Sequence, residues 1–112
     1  MQIEIDELTK LFRSAQASIA VTDDPLPWKI GSNYFIRTVT HHYTGKLVAV
    51  FEKELVLLNA AWIADNGRFM QAVATGSFEE IEPFPWDTEV IIGRGSVIDA
   101  VVISFSLPRS QK

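Results

Sequence analysis

The sequence predicts a mainly β (α+β) domain in which an N-terminal amphipathic helix precedes five short antiparallel strands curled into a small barrel. A short helical insertion separates the third strand from the fourth. Three observations carry this expectation. Apolar residues recur every three or four positions early in the chain; from Tyr34 onward β-branched and aromatic runs replace that period; and turn-forming residues separate these runs closely. Short strands in this number curl because curling removes exposed edges.

The elements follow in order. Residues 4–19 place Leu8, Leu11, Phe12, Ala15 and Ile19 on one helical stripe and Glu7, Lys10, Arg13 and Gln16 elsewhere, with Asp6 as N-cap or first-turn acid. Residues 21–33 contain two prolines and a glycine and form a connector. The barrel spans 34–105. Its strands are YFIRTVTH, KLVAVF after the turn HYTG, ELVLLNAAWI after Glu52-Lys53, then EVIIG and VIDAVVISFS. Between the third and fourth strands, 65–76 is read as a helix with Asp65 or Asn66 at its start and Gly76 at its C′ position, and 77–87 as an acidic surface loop. Residues 107–112 form a polar tail.

Composition narrows the function. The 112 residues fit a single domain, and 47% hydrophobic content gives it enough material for a core. A formal charge of −4 argues against nonspecific coating of duplex DNA, which needs many cations to neutralise phosphates. The absence of cysteine excludes disulfides, thiolate catalysis and cysteine-based zinc sites. The acidic N-terminus lacks the pattern of a secretion signal, and no run reaches the ~18 apolar residues needed to span a bilayer, so a cytoplasmic protein without a membrane partner is expected.

No nucleophile–base arrangement, phosphate loop or dinucleotide fingerprint is present, so a non-enzymatic protein without a cofactor is expected. Arg94, between Gly93 and Gly95, has two readings. It grips a phosphate or base with its guanidinium fork, or the glycines make a turn of positive φ and it is the solvated tip or pairs with a neighbouring acid. Trp62 either stacks on a base or fills core, and Arg68 either joins that site or pairs with Asp65 or an acid elsewhere. Arg37 and Tyr43 complete the candidate ligand set, with His42 and Tyr43 at a polar hairpin tip. His41 and His42 are adjacent on a strand and point to opposite faces, so no metal site is expected. Five acids and no base lie between Phe69 and Gly93. They are either a solvated loop or a contact for a basic partner, with Glu79, Glu80, Glu82 and Trp86 as the partner-binding set.

The stretches YTGKLVAVFEKELVLLNA (43–60) and VIIGRGSVIDAVV (90–102) resemble the two motifs of the Sm/LSm-like family. Gly45, Leu47 and Ala60 stand near the family's spacing, and Arg94-Gly95 matches its Arg-Gly pair. The resemblance implies an Sm-like or SH3-like barrel, a homo-oligomer, and RNA or a small nucleotide bound at a subunit interface. The sequence departs from the pattern in its shorter turn at 51–55, which lacks the family's asparagine, and in the additional Gly93. The phrases FIRTV, HYTG, WIAD and GRG also resemble small uncharacterised proteins of phages and prophages, which implies the alternative of a protein-binding inhibitor in counter-defence. A structural barrel without a ligand is the third expectation.

Overall fold

A computed structural model describes residues 27–112; the helix expected over 4–19 lies outside the described residues. The elements are β1 (Asn33–Thr38), β2 (His42–Val50), β3 (Glu54–Asp65), α1 (Phe69–Thr75), β4 (Glu80–Pro83), β5 (Glu89–Gly93), a 3₁₀ turn (Arg94–Ser96) and β6 (Val97–Val102). The strands form one antiparallel sheet in the order β4-β3-β2-β1-β6, with β5 also on β3. The expected closed barrel of five strands is replaced by an open sheet of six, because among the described residues no ladder joins β5 to β6.

The long β3 explains much of this arrangement. Glu54–Leu58 pair with β5, while Ala61–Asp65 pair with β4, so one strand serves two neighbours on the same edge. Between the two halves Asn59 takes a φ of 53° and the register with β2 shifts. The extra residue reverses the parity of the pleat. Leu55, Leu57 and Ala60 point into one core, with Tyr34, Ile36, Leu47, Val50 and Ile92. Ala61 and Ile63 point into a second core on the opposite face, with Phe35, Ala72, Phe78, Ile81 and Ile103. Gly45 lies opposite this irregularity. A Cβ there would stand 3.0 Å from the Leu57 Cβ and 3.2 Å from the Ala60 Cβ, so the close approach requires glycine.

Several local expectations are corrected. HYTG opens β2 instead of forming a turn; the chain turns at Val39–His41, where the Thr38 hydroxyl donates to the His41 carbonyl at 2.7 Å and accepts from its N–H at 2.9 Å. The helix begins at Phe69, not 65. Asp65 ends β3 and its carboxylate accepts the Gly67 N–H at 2.8 Å, so neither Asp65 nor Asn66 is the cap. Gly76 does close the helix in the left-handed region, at φ 79°. The segment read as an acidic loop contains β4, because Ile81 pairs with Ile63 and buries its side chain. The last strand stops at Val102, and beyond it Ile103, Phe105 and Leu107 pack on the second core. The tail is tied down as well: the Lys112 and Ile81 backbones exchange N–H···O bonds, both at 3.0 Å, along the outer side of β4.

Candidate functional site

The candidate ligand residues occupy three separate places. On the Phe35 face, β1 lies between β2 and β6, so Arg37 stands opposite His42 on one side and Asp99 on the other. Its guanidinium meets Asp99 in a fork, with Nε donating to Oδ1 at 2.8 Å and Nη2 donating to Oδ2, while Cζ lies 4.2 Å from the centre of the Phe69 ring. Both fork positions are therefore used inside the molecule. The Asp99 carboxyl is held below its ordinary range, first by the hydrogen bond from Arg37, and the Arg37 pKa is raised by the same bond.

His42 is half-buried in this row, with its ring edge-on to Phe35 at 5.9 Å. Burial lowers its pKa; the neighbouring Arg37 charge lowers it further, and Asp99 opposes this. The folded chain therefore binds the His42 proton more weakly than the unfolded chain does. Stability is full above the ordinary imidazole value of 6.5 and falls as the pH drops from there through the lowered folded value. The Asp99 contribution has the same sign and is lost at lower pH, below the ordinary 3.8. Urea unfolding from pH 7.5 down to 5 should thus show a falling midpoint, and His42→Gln should flatten that slope. An unchanged slope in the variant would mean that His42 is not its source.

At the β5–β6 corner, the Arg94 Nη1 donates to the Phe51 carbonyl at 2.8 Å and its backbone N–H donates to the Lys53 carbonyl at 2.9 Å. Arg94 thus brackets the β2–β3 hairpin against the corner. The turn is a 3₁₀ helix with Gly93 at φ −70°, and neither Gly93 nor Gly95 takes positive φ, which corrects the turn geometry expected there. The Ser96 hydroxyl closes the turn by donating to the Gly93 carbonyl at 2.7 Å.

The third place is aromatic. Trp62 is paired across the ladder with Tyr43 and, on its other side, with Glu82. It stays 37% exposed and does not fill core. The His41 ring lies 5.7 Å from Trp62 and 6.1 Å from Tyr43, and Tyr43 stacks on Phe84 at 6.4 Å. A cavity of about 300 Å³ beside Trp62 is bounded by Glu80, Glu82, Gln111 and Lys112. His41 thus stands with Tyr43 and Trp62 while His42 stands with Phe35. Among the described residues no three metal-ligating side chains converge.

Arg68 is exposed at the start of α1 and forms no ion pair with Asp65; Arg37–Asp99 is the one ion pair among the described residues. Glu79, Glu80, Glu82 and Trp86 are all exposed. Sequence reasoning missed Arg109. Its Nη1 donates to the Ala60 carbonyl at 2.9 Å, its Nη2 donates to the Phe84 carbonyl at 2.7 Å, and its guanidinium lies 4.3 Å from the Trp86 ring centre. No periodicity in LPRSQK signals such a clasp. Among the described residues no helix is long and apolar enough to cross a membrane. Comparison with protein-family models, with curated proteins and with solved structures found no match.

Proposed function

We propose that this protein is a non-enzymatic, Sm-like binding module that assembles with copies of itself through its open sheet edges and takes a nucleotide or short RNA at the junction. One observation carries the reading. β5 and β6 meet at a single corner, each pairs on one side only among the described residues, and they carry the exposed Ile91, Ile98 and Val102. An unpaired edge with exposed aliphatic side chains is a template for another strand. The tight packing of Gly45 against Leu57 and Ala60, and the Arg94 bracket at the corner, support an Sm-like reading of the two motifs.

The ligand in this reading is held by stacking. Arg37 and Arg94 already make internal bonds, whereas Trp62 and His41 are exposed and stand with the half-buried Tyr43 in one aromatic cluster. Base stacking on aromatic side chains contributes about 1–3 kcal/mol per base. Native and denaturing mass spectrometry of the purified full chain tests both parts. An oligomer that Ile98→Lys with Val102→Lys reduces to monomer, carrying a nucleotide that Trp62→Ala loses, is the expected result. A ligand-free monomer at micromolar concentration overturns the proposal.

A second reading, a phage-type inhibitor that binds protein, is favoured by one feature. Glu79, Glu80 and Glu82 cluster on and beside β4 with no cation in ion-pair contact among the described residues, and the exposed Trp86 follows. Charge reversal at these three glutamates would abolish capture of a basic partner and leave edge assembly intact.

A further inference from the structure

Trp62 stands between Tyr43 on β2 and Glu82 on β4 in one cross-strand row. Its indole therefore has an aromatic neighbour on one side and a carboxylate on the other, since residues directly opposite in a ladder share a face of the sheet. Glu80, two residues before Glu82, returns to that face. Ala64, two residues after Trp62, ends in a methyl group and leaves open the space that a longer side chain would fill. The cavity beside Trp62 lies there, with Glu80, Glu82, Gln111 and Lys112 also on its wall. Its volume of about 300 Å³ is at the lower end of the range for small-ligand sites.

The polar groups on this wall are unequally engaged. The Lys112 ammonium donates to the Phe78 carbonyl at 2.6 Å, whereas neither glutamate has a cation in ion-pair contact among the described residues. A carboxylate is acceptor-only, with two oxygens side by side, so its complement is a pair of adjacent donors. Among the common nucleobases guanine alone presents that pair, N1–H beside the N2 amino group. Adenine and cytosine place an acceptor nitrogen next to their amino group, and uracil flanks its one N–H with two carbonyl oxygens. Each of those three would set a lone pair against a carboxylate oxygen. The guanine O6, next to N1, needs a donor, and the Gln111 amide on the same wall can supply one.

We propose that the cavity beside Trp62 is a guanine-reading subsite, in which the base stacks on the Trp62 indole and the Glu82 carboxylate accepts from N1–H and the N2 amino group. The proposal rests on the base-stacking reading given above and adds the identity of the base. The same carboxylates repel phosphate, so ribose and phosphate point out of the cavity and affinity comes from the ring and its edge. Trp62 supplies contact that any base could use, and Glu82 is the specificity-determining residue.

The test titrates the full chain with GMP, IMP, AMP, CMP and UMP and follows the Trp62 indole Nε1–H resonance, assigned through Trp62→Phe. All five carry the same ribose and phosphate, so differences among them report the base. IMP is the critical comparison, because its base keeps N1–H and O6 and lacks the amino group. GMP should bind about tenfold more tightly than IMP or the other three, the scale for a bidentate edge contact. Glu82→Gln should abolish that advantage, and Glu79→Gln, off the cavity wall, should preserve it. Ala64→Leu, which fills the space without changing charge, should weaken all five.

Equal affinity for the five nucleotides, lost in Trp62→Ala, overturns the guanine assignment and leaves the stacking reading standing. A GMP preference that survives Glu82→Gln overturns the role given to Glu82. No shift at Trp62 with any of the five overturns both the assignment and the stacking reading. A shift produced by choline and by none of the nucleotides replaces the base with an organic cation held by the indole and the carboxylates.

Discussion

Phe78→Ala should lower the unfolding free energy by about 3–5 kcal/mol, the range for emptying a buried aromatic site. Phe78 is fully buried at the centre of the second core. Its ring meets Phe35 edge-on at 5.3 Å and Phe105 at 6.0 Å, and Ala61, Ile63, Ala72 and Ile81 belong to the same cluster. Phe78 therefore joins three parts of the chain: the sheet, α1 and the segment after β6. Urea denaturation gives the number directly, with a shifted midpoint and an unchanged m-value. A loss below about 1 kcal/mol would mean that the face opposite Leu57 is not a packed core.

Gly76→Ala should cost about 2–3 kcal/mol, an unusual amount for adding one methyl group. Two effects add. The residue closes α1 at φ 79°, a left-handed conformation that costs an L residue about 1–2 kcal/mol. A Cβ there would also stand 2.7–3.0 Å from Phe105 ring carbons, which must then shift. Gly93 and Gly95 supply the contrast. Neither takes positive φ, and a Cβ at either meets nothing within 4 Å, so alanine there should change stability by less than about 0.5 kcal/mol. Thermal or urea unfolding of the three variants side by side checks the ranking. Equal effects at all three would remove the argument from backbone conformation.

That contrast also marks the limit of what the sequence made legible. Gly93-Arg94-Gly95 stands out by its neighbours, yet a glycine's role depends on φ and on what faces it, and neither is written locally. The strand runs were legible because β-branched residues accumulate there: EVIIG matches β5, and ELVLLNAAWI falls within β3. β4 was hidden because Glu80–Pro83 has Ile81 as its one aliphatic residue. Its strand character comes from pairing with β3, a tertiary cause. The site residues fared similarly. The internal partners of Arg37 and Arg94, Asp99 and the Phe51 carbonyl, were not legible because they lie 62 and 43 positions away. Trp62 was recognised as a candidate; its exposure follows from the parity change at Asn59, which alternation alone would not reveal.

That parity change has a consequence for how this chain tolerates length variation. Asn59 acts like a frame marker in a coded message: the pleat is read in one phase before it and in the other phase after it. Deleting Asn59 itself would restore uninterrupted alternation and leave every side chain downstream in β3 on its present face. Deleting a residue from the regular stretch after it, Ala61 for example, would turn Trp62 beneath α1 and Ile63 to water and would misalign the partners of β4. At Asn59 the loss of one residue is absorbed, whereas in the paired stretches of β3 it inverts a face, so in this strand the place of a length change matters more than its size.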